Sequence, residues 1–197
     1  MIWFLSDLHL GHKSVAEMRG FDSVEEHDAE VLGSIARTTK MRGELWLLGD
    51  VFWGRVRPEC LRLMPQTVEL ILGNHDDALR GSPLFRNTRD MAFIKPYGQK
   101  IHLCHYPLSS WRSSHYGAWH LHGHSHGSGP NEIYRNKLDI SWESFKRPIS
   151  FEEIREIFNN EGKNEKRKGE EEKATRCDNE ECEILECENF RVRGEDV

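Results

Sequence analysis

Side chains able to bind a metal or move a proton recur at the ends of apolar runs. Ile2-Trp3-Phe4-Leu5 passes directly into Ser6-Asp7-Leu8-His9. A second run, at 44–48, ends at Gly49-Asp50, and a third, at 67–72, ends at Gly73-Asn74-His75-Asp76. In the second half His105 follows Ile101-His102-Leu103-Cys104, and Trp119-His120-Leu121-His122 leads into Gly123-His124-Ser125-His126. Carboxylate and imidazole together suit Zn, Mn, Fe, Co or Ni. His124 and His126, two apart on an extended segment, point to the same side. Each piece has an ordinary reading too. Asp-x-His is commonly a surface loop, Gly-Asn-His-Asp is a good turn, and a histidine-rich stretch can bind metal adventitiously. What carries the inference is their joint order, with three of the five directly behind a buried strand.

The elements that must position these groups follow from the apolar pattern. Strands are predicted at 2–5, 44–48 and 67–72. If the three run parallel, their polar ends share one edge of a sheet, where open α/β sheets build ligand sites. Ser23 and Glu26 form a capping box for a helix over 24–39, whose Val31, Leu32 and Ile35 make one apolar face. A short helix is predicted at 58–64. Strands follow at 91–95, 100–104 and 119–122, with one or two more in 132–142. Ser150 and Glu153 cap a last helix over 151–159. Strand and helix alternate first and strands then dominate, which predicts a layered α/β sandwich with a mixed sheet or two packed sheets.

Length allows one full domain and a tail. We expect a domain over 1–160 and an acidic, flexible appendage over 161–197, because GKNEKRKGEEEK has almost no apolar content. The tail's 8 Lys/Arg against 13 Asp/Glu carry most of the net charge of −6 and leave the domain near neutral. A near-neutral domain argues against non-specific binding to nucleic-acid backbones. No apolar run reaches the length of a membrane span, and the N-terminus is a poor signal peptide, so the cytoplasm is the expected location. Cys60 and Cys104 read as core residues. Cys177, Cys182 and Cys187 are too few for a tetrahedral zinc site.

The set Asp7-x-His9, Gly49-Asp50, Gly73-Asn74-His75-Asp76, His105 and Gly123-His124-x-His126 resembles the calcineurin-like metallophosphoesterase family, over roughly residues 1–157. The surrounding text (SDLHLGH, HYPLSSW, HLHGHSHG) looks most like small bacterial and phage members. The resemblance implies a four-layer α/β/β/α sandwich and two divalent ions, Mn2+ foremost, with Fe, Zn, Ni or Co compatible. It implies that Asp7, His9, Asp50 and His126 hold the first ion. Asp50, Asn74, His105 and His124 would hold the second, with Asp50 bridging. His75 would contact phosphate and assist the leaving group, and Asp76 would stand behind the ligands. Larger members often read Gly-Asp-x-x-Asp-Arg-Gly at the bridging aspartate. Here the text is Gly49-Asp50-Val51-Phe52-Trp53-Gly54, without the second acid or the arginine.

The activity implied is hydrolysis of a phosphate ester by a water acidified between the ions. The expected substrate is a small phosphorylated molecule, foremost a cyclic nucleotide such as a 2′,3′-cyclic phosphate. A phosphomonoesterase is the alternative, and a nuclease or a metal-free scaffold ranks lower. His12, Lys13, Tyr106, Trp111 and Arg112 are open between substrate contact and packing. His102, His120 and His122 are expected to be strand residues away from the ions, with His122 the least secure because it shares a face with His124.

Overall fold

A computed structural model describes residues 1–128 and 136–160. The tail at 161–197, its three cysteines and residues 132–135 of the predicted strand region lie outside the described residues.

Short strands, apolar for the most part in the first three, build the first sheet. Ile2–Leu5 (β1), Glu44–Leu47 (β2), Thr67–Ile71 (β3) and Asn87–Arg89 (β4) pair in parallel, and Ile149–Ser150 (β9) joins β1 antiparallel. The order is β4-β3-β2-β1-β9. Register puts Trp3, Leu45 and Val68 in one row and Leu5, Leu47 and Leu70 in the next. These six share a core with Val31, Leu32 and Ile35 of the helix Val24–Thr39. Strand alternation sends Phe4, Trp46 and Glu69 to the opposite face. Glu69 is buried there, and a buried carboxylate must be paired. Asn87 supplies two hydrogen bonds at 3.0 and 3.1 Å, and Arg89 stands 3.5 Å away.

Met91–Ile94 (β5), Ile101–Cys104 (β6), Trp119–His122 (β7) and Lys137–Asp139 (β8) form the second sheet in that order. β5 is antiparallel and the others are parallel. Beyond β8 the chain leaves this sheet and stitches itself to the first. Ile140 N donates to His122 O (2.8 Å), Ser6 N donates to Ile140 O (3.1 Å), and Ser6 bridges Ser141. The polar ends of both sheets are thereby brought together. The fold is mixed α/β, two sheets flanked by helices, in the class read from the sequence.

Of the two predicted capping boxes, Ser150–Glu153 forms in full and Ser23–Glu26 in one half. Ser23 Oγ accepts from Glu26 N (3.1 Å), although the Glu26 carboxylate reaches back to Asp22 N (3.0 Å) rather than to Ser23. The predicted helix at 58–64 is a 3-10 turn over Pro58–Leu63. The helices Lys13–Met18 (α1) and Trp142–Phe145 (α3) and the strands β4 and β9 were not expected. With Val24–Thr39 as α2, the last helix, residues 151–160, is α4.

At the start of α4, Glu153 accepts from Ser150 N (2.9 Å), Ser150 Oγ (2.8 Å) and Arg147 (2.6 Å). Burial raises its pKa, but the bonds from Arg147 and Ser150 outweigh this and bring it down to about 2 from an ordinary 4.5. A depressed folded pKa stabilises above the unfolded value and loses that contribution as pH falls. Glu153→Gln should therefore lower Tm by an amount equivalent to about 1 kcal/mol at neutral pH. In circular-dichroism melts the difference from wild type should vanish between pH 4.5 and 2. A difference independent of pH would contradict this account.

Candidate metal centre

The loops after β1 and β2 continue side by side beyond their strands. Asp7 N donates to Gly49 O (3.0 Å), His9 N to Asp50 O (2.8 Å) and Leu10 N to Val51 O (3.0 Å). This pairing sets the first two aspartates next to each other. Turning both side chains inward demands left-handed backbone, at φ 59° for Asp7, 50° for His9 and 56° for Asp50; His124 and His126 are left-handed too, at 67° and 49°. Non-glycine residues avoid this region, and clusters of such strain mark functional sites. Gly73 and Gly123 lie where a β-carbon would strike Asp50 Oδ1 and Asp7 Oδ2 respectively. Those positions require glycine for room, not for turn geometry alone.

The donor atoms converge in two groups. In the first, His9 Nε2 and His126 Nε2 are 3.3 Å apart. Asp7 Oδ1 lies 3.8 Å from His9 Nε2 and 3.6 Å from His126 Nε2. In the second, His105 Nε2 is 3.2 Å from Asn74 Oδ1, and the His124 ring packs 5.1 Å from the His105 ring. Asp50 Oδ2 stands between the groups, 3.6 Å from both His9 Nε2 and His105 Nε2. Asp7, Asp50 and His105 also offer donors within 4.8 Å of one another. All seven residues named as ligands from the sequence are therefore neighbours.

These donors fit a cation better than they fit each other. Ligand atoms about 2.0–2.2 Å from one ion lie roughly 3–3.5 Å apart. At 3.3–3.8 Å in a largely buried space these nitrogens and oxygens need positive charge among them, from a ring proton or from a cation. The tautomer of His105 supports this, because Nδ1–H donates to Leu48 O at 2.7 Å and leaves the Nε2 lone pair facing inward. Burial pushes the Asp7 carboxyl up, but His9, His105 and His126 outweigh it and hold its pKa below the ordinary value.

Asp76 is fully buried and organises two of the loops. Its carboxylate accepts from Asp50 N (2.6 Å), Val51 N (3.0 Å) and Gly73 N (2.9 Å). His75 sits at the mouth. Its backbone N–H donates to Asp50 Oδ1 (3.1 Å), and its ring Nε2 is 3.9 Å from Asp50 Oδ2. Where larger relatives carry a second acid, Trp53 packs edge-on against His75 with ring centroids 4.6 Å apart.

The open residues divide. His12 caps α1 through Nδ1, which accepts from Val15 N (3.3 Å), and its ring lies 3.9 Å from Trp53 at the rim. Tyr106 borders His105 and His124. Trp111 is a packing residue, buried and bonded to Ala118 O (2.8 Å). Lys13 pairs with Glu17, and Arg112 lies over Phe93. His102, His120 and His122 form a buried row along β6 and β7, with burial driving the His120 pKa down to about 3. Two residues escaped sequence reading altogether: Arg19 and Glu143, whose ion pair at 2.6 Å lies behind His126. Arg19 ends a six-residue helix and Glu143 opens a four-residue one, so neither carried a signal.

A family model described as calcineurin-like phosphoesterase matches residues 1–173. The Gene 66 protein of Mycobacterium phage L5 is 30% identical over 193 residues, covering 80% of this chain and 93% of that one. Its counterpart in Mycobacterium phage D29 is 28% identical over 191 residues, covering 80% and 96%. Among solved structures, a protein of unknown function, AQ665, from Aquifex aeolicus is similar with a TM-score of 0.63 and 25% identity, covering 80% of this chain and 98% of that one.

Removing the Asp76 carboxylate leaves three buried N–H donors without their acceptor. Asp76→Ala should destabilise by about 3 kcal/mol in denaturant unfolding, and Asp76→Asn, which keeps one acceptor oxygen, by roughly half as much. A cost near zero for the alanine variant would show that Asp76 does not hold these loops.

Proposed function

The chain belongs to the calcineurin-like phosphoesterase family, and on that premise we propose that it hydrolyses phosphodiesters of small nucleotides, a 2′,3′-cyclic phosphate foremost. In this reading Asp7, His9, Asp50 and His126 hold one divalent ion and Asp50, Asn74, His105 and His124 a second. The observation that carries it is the Asp50 carboxylate oxygen 3.6 Å from an imidazole nitrogen of each group. The ions, Mn2+ foremost, supply positive charge for the phosphate oxygens and acidify a water near neutral pH.

The protein's own residues do the rest. Asn74 and His75, at the end of β3, meet the non-bridging phosphate oxygens. His75 Nε2 holds the proton that the leaving oxygen takes, and the edge of Trp53 fixes the ring's orientation in place of a carboxylate. Trp53 and His12 form an aromatic wall beside His75, with Trp53 42% exposed, which suits stacking of a base.

A small diester is the substrate supported by the text after Asp50, Val51-Phe52-Trp53-Gly54, which lacks the second acid and the arginine that larger members of the family often carry.

The test is turnover with Mn2+ of 2′,3′-cyclic nucleotides, bis(p-nitrophenyl) phosphate and p-nitrophenyl phosphate. Both diester classes should turn over at least tenfold faster than the monoester; turnover of the monoester alone would replace this reading with a phosphomonoesterase. Asp50→Ala should abolish activity and lose metal while the circular-dichroism spectrum stays native. His75→Ala should lower kcat by roughly 10²–10⁴-fold. Trp53→Ala should raise KM about tenfold for the cyclic nucleotide, and an unchanged KM would remove the stacking role.

A further inference from the structure

Behind His126 lies a buried chain of charge that belongs to none of the motifs. His126 Nδ1 is 3.0 Å from Glu143 Oε1, while its Nε2 faces His9 and Asp7. The contact is an ion-pair approach and not an aligned hydrogen bond; a carboxylate this near favours the proton on Nδ1, which leaves the Nε2 lone pair facing the donor group. The same Glu143 oxygen accepts from Arg19 Nε at 2.8 Å and stands 2.6 Å from its Nη2.

Arg19 has a side chain only 1% exposed, and four hydrogen bonds engage its guanidinium. Besides Glu143 it meets Asp7 O (2.7 Å), Leu8 O (3.1 Å) and His27 Nε2 (2.8 Å). His27 is anchored in turn by Asp28 (2.8 Å), whose other oxygen takes Arg57 at 2.6 Å. One guanidinium therefore holds the carbonyls of the loop that carries Asp7 and His9 and, through Glu143, the imidazole of His126. The loops it joins are 117 residues apart and left-handed at all three donors.

We propose that Arg19 and Glu143 are positioning residues that clamp the first ion's half of the centre, fixing the His126 tautomer and holding the Asp7–His9 loop against the His124–His126 loop. The proposal rests on the metal-binding reading above. It assigns the clamp to one half only, because His105 takes its orientation from Leu48 O and not from this chain.

The experiment is titration of EDTA-stripped full-length protein with Mn2+ alone, free ion being read by paramagnetic resonance, beside melts with and without Mn2+. Wild type should take two ions. Glu143→Gln and Arg19→Lys should bind one of the two 10–100-fold more weakly and leave the other unchanged. The Mn2+-induced rise in Tm should shrink accordingly. The double variant should lose little more than either single, as expected for groups acting as one unit. Arg80→Ala, which breaks a surface pair with Asp90, should bind both ions as wild type does. Two ions at wild-type affinity in both clamp variants overturn the proposal, as does a fall in the metal-free Tm with no change in affinity. If wild type binds no Mn2+, the metal-binding reading itself fails. Should Glu143→Ala not fold, the two conservative variants carry the test.

Discussion

Carboxylate and imidazole atoms that need positive charge among them are packed together where β1, β2 and β3 end. Asp50 Oδ2 has an imidazole nitrogen 3.6 Å away on either side, and two more ring nitrogens stand 3.3 Å apart. Such a cluster in a dry space is tolerable only around positive charge, whether ring protons or cations. The local oddities of the fold follow from holding that arrangement. The strained backbones aim side chains inward, Gly73 and Gly123 make room for carboxylates, and Asp76 ties two loops by their N–H groups.

The scaffold does this with ordinary means. Three parallel strands in register deliver Asp7, Asp50 and Asn74 to one edge, and an apolar helix face covers the sheet behind them. The second sheet contributes imidazoles from the ends of β6 and β7. The run from Ile140 to Ser141, bonded to Ser6, keeps the sheets aligned where it matters. Stability and function are thus separable in space: the core lies under the strands and the strain sits beyond their ends.

Much of this was legible in the sequence because its signals were local. The apolar runs gave away β1 to β3, Ser23 and Ser150 announced the two long helices, three motifs stood directly behind predicted strands, and the family resemblance singled out the seven donor residues. What stayed hidden depended on partners far along the chain. β4 and β9 are two or three residues long and polar in part, so pairing rather than propensity makes them strands. Arg19 and Glu143 read as ordinary surface charges until the fold brings them within 2.6 Å. Trp53 looked like a mere departure from the pattern of larger relatives, and only its packing on His75 and His12 gives it a place.

The sharpest test is a crystal grown with Mn2+ and measured at the manganese absorption edge. Two anomalous peaks should flank Asp50, one beside His9 and His126 and the other beside Asn74, His105 and His124. A single peak, or peaks only on exposed histidines, would contradict the shared-carboxylate centre.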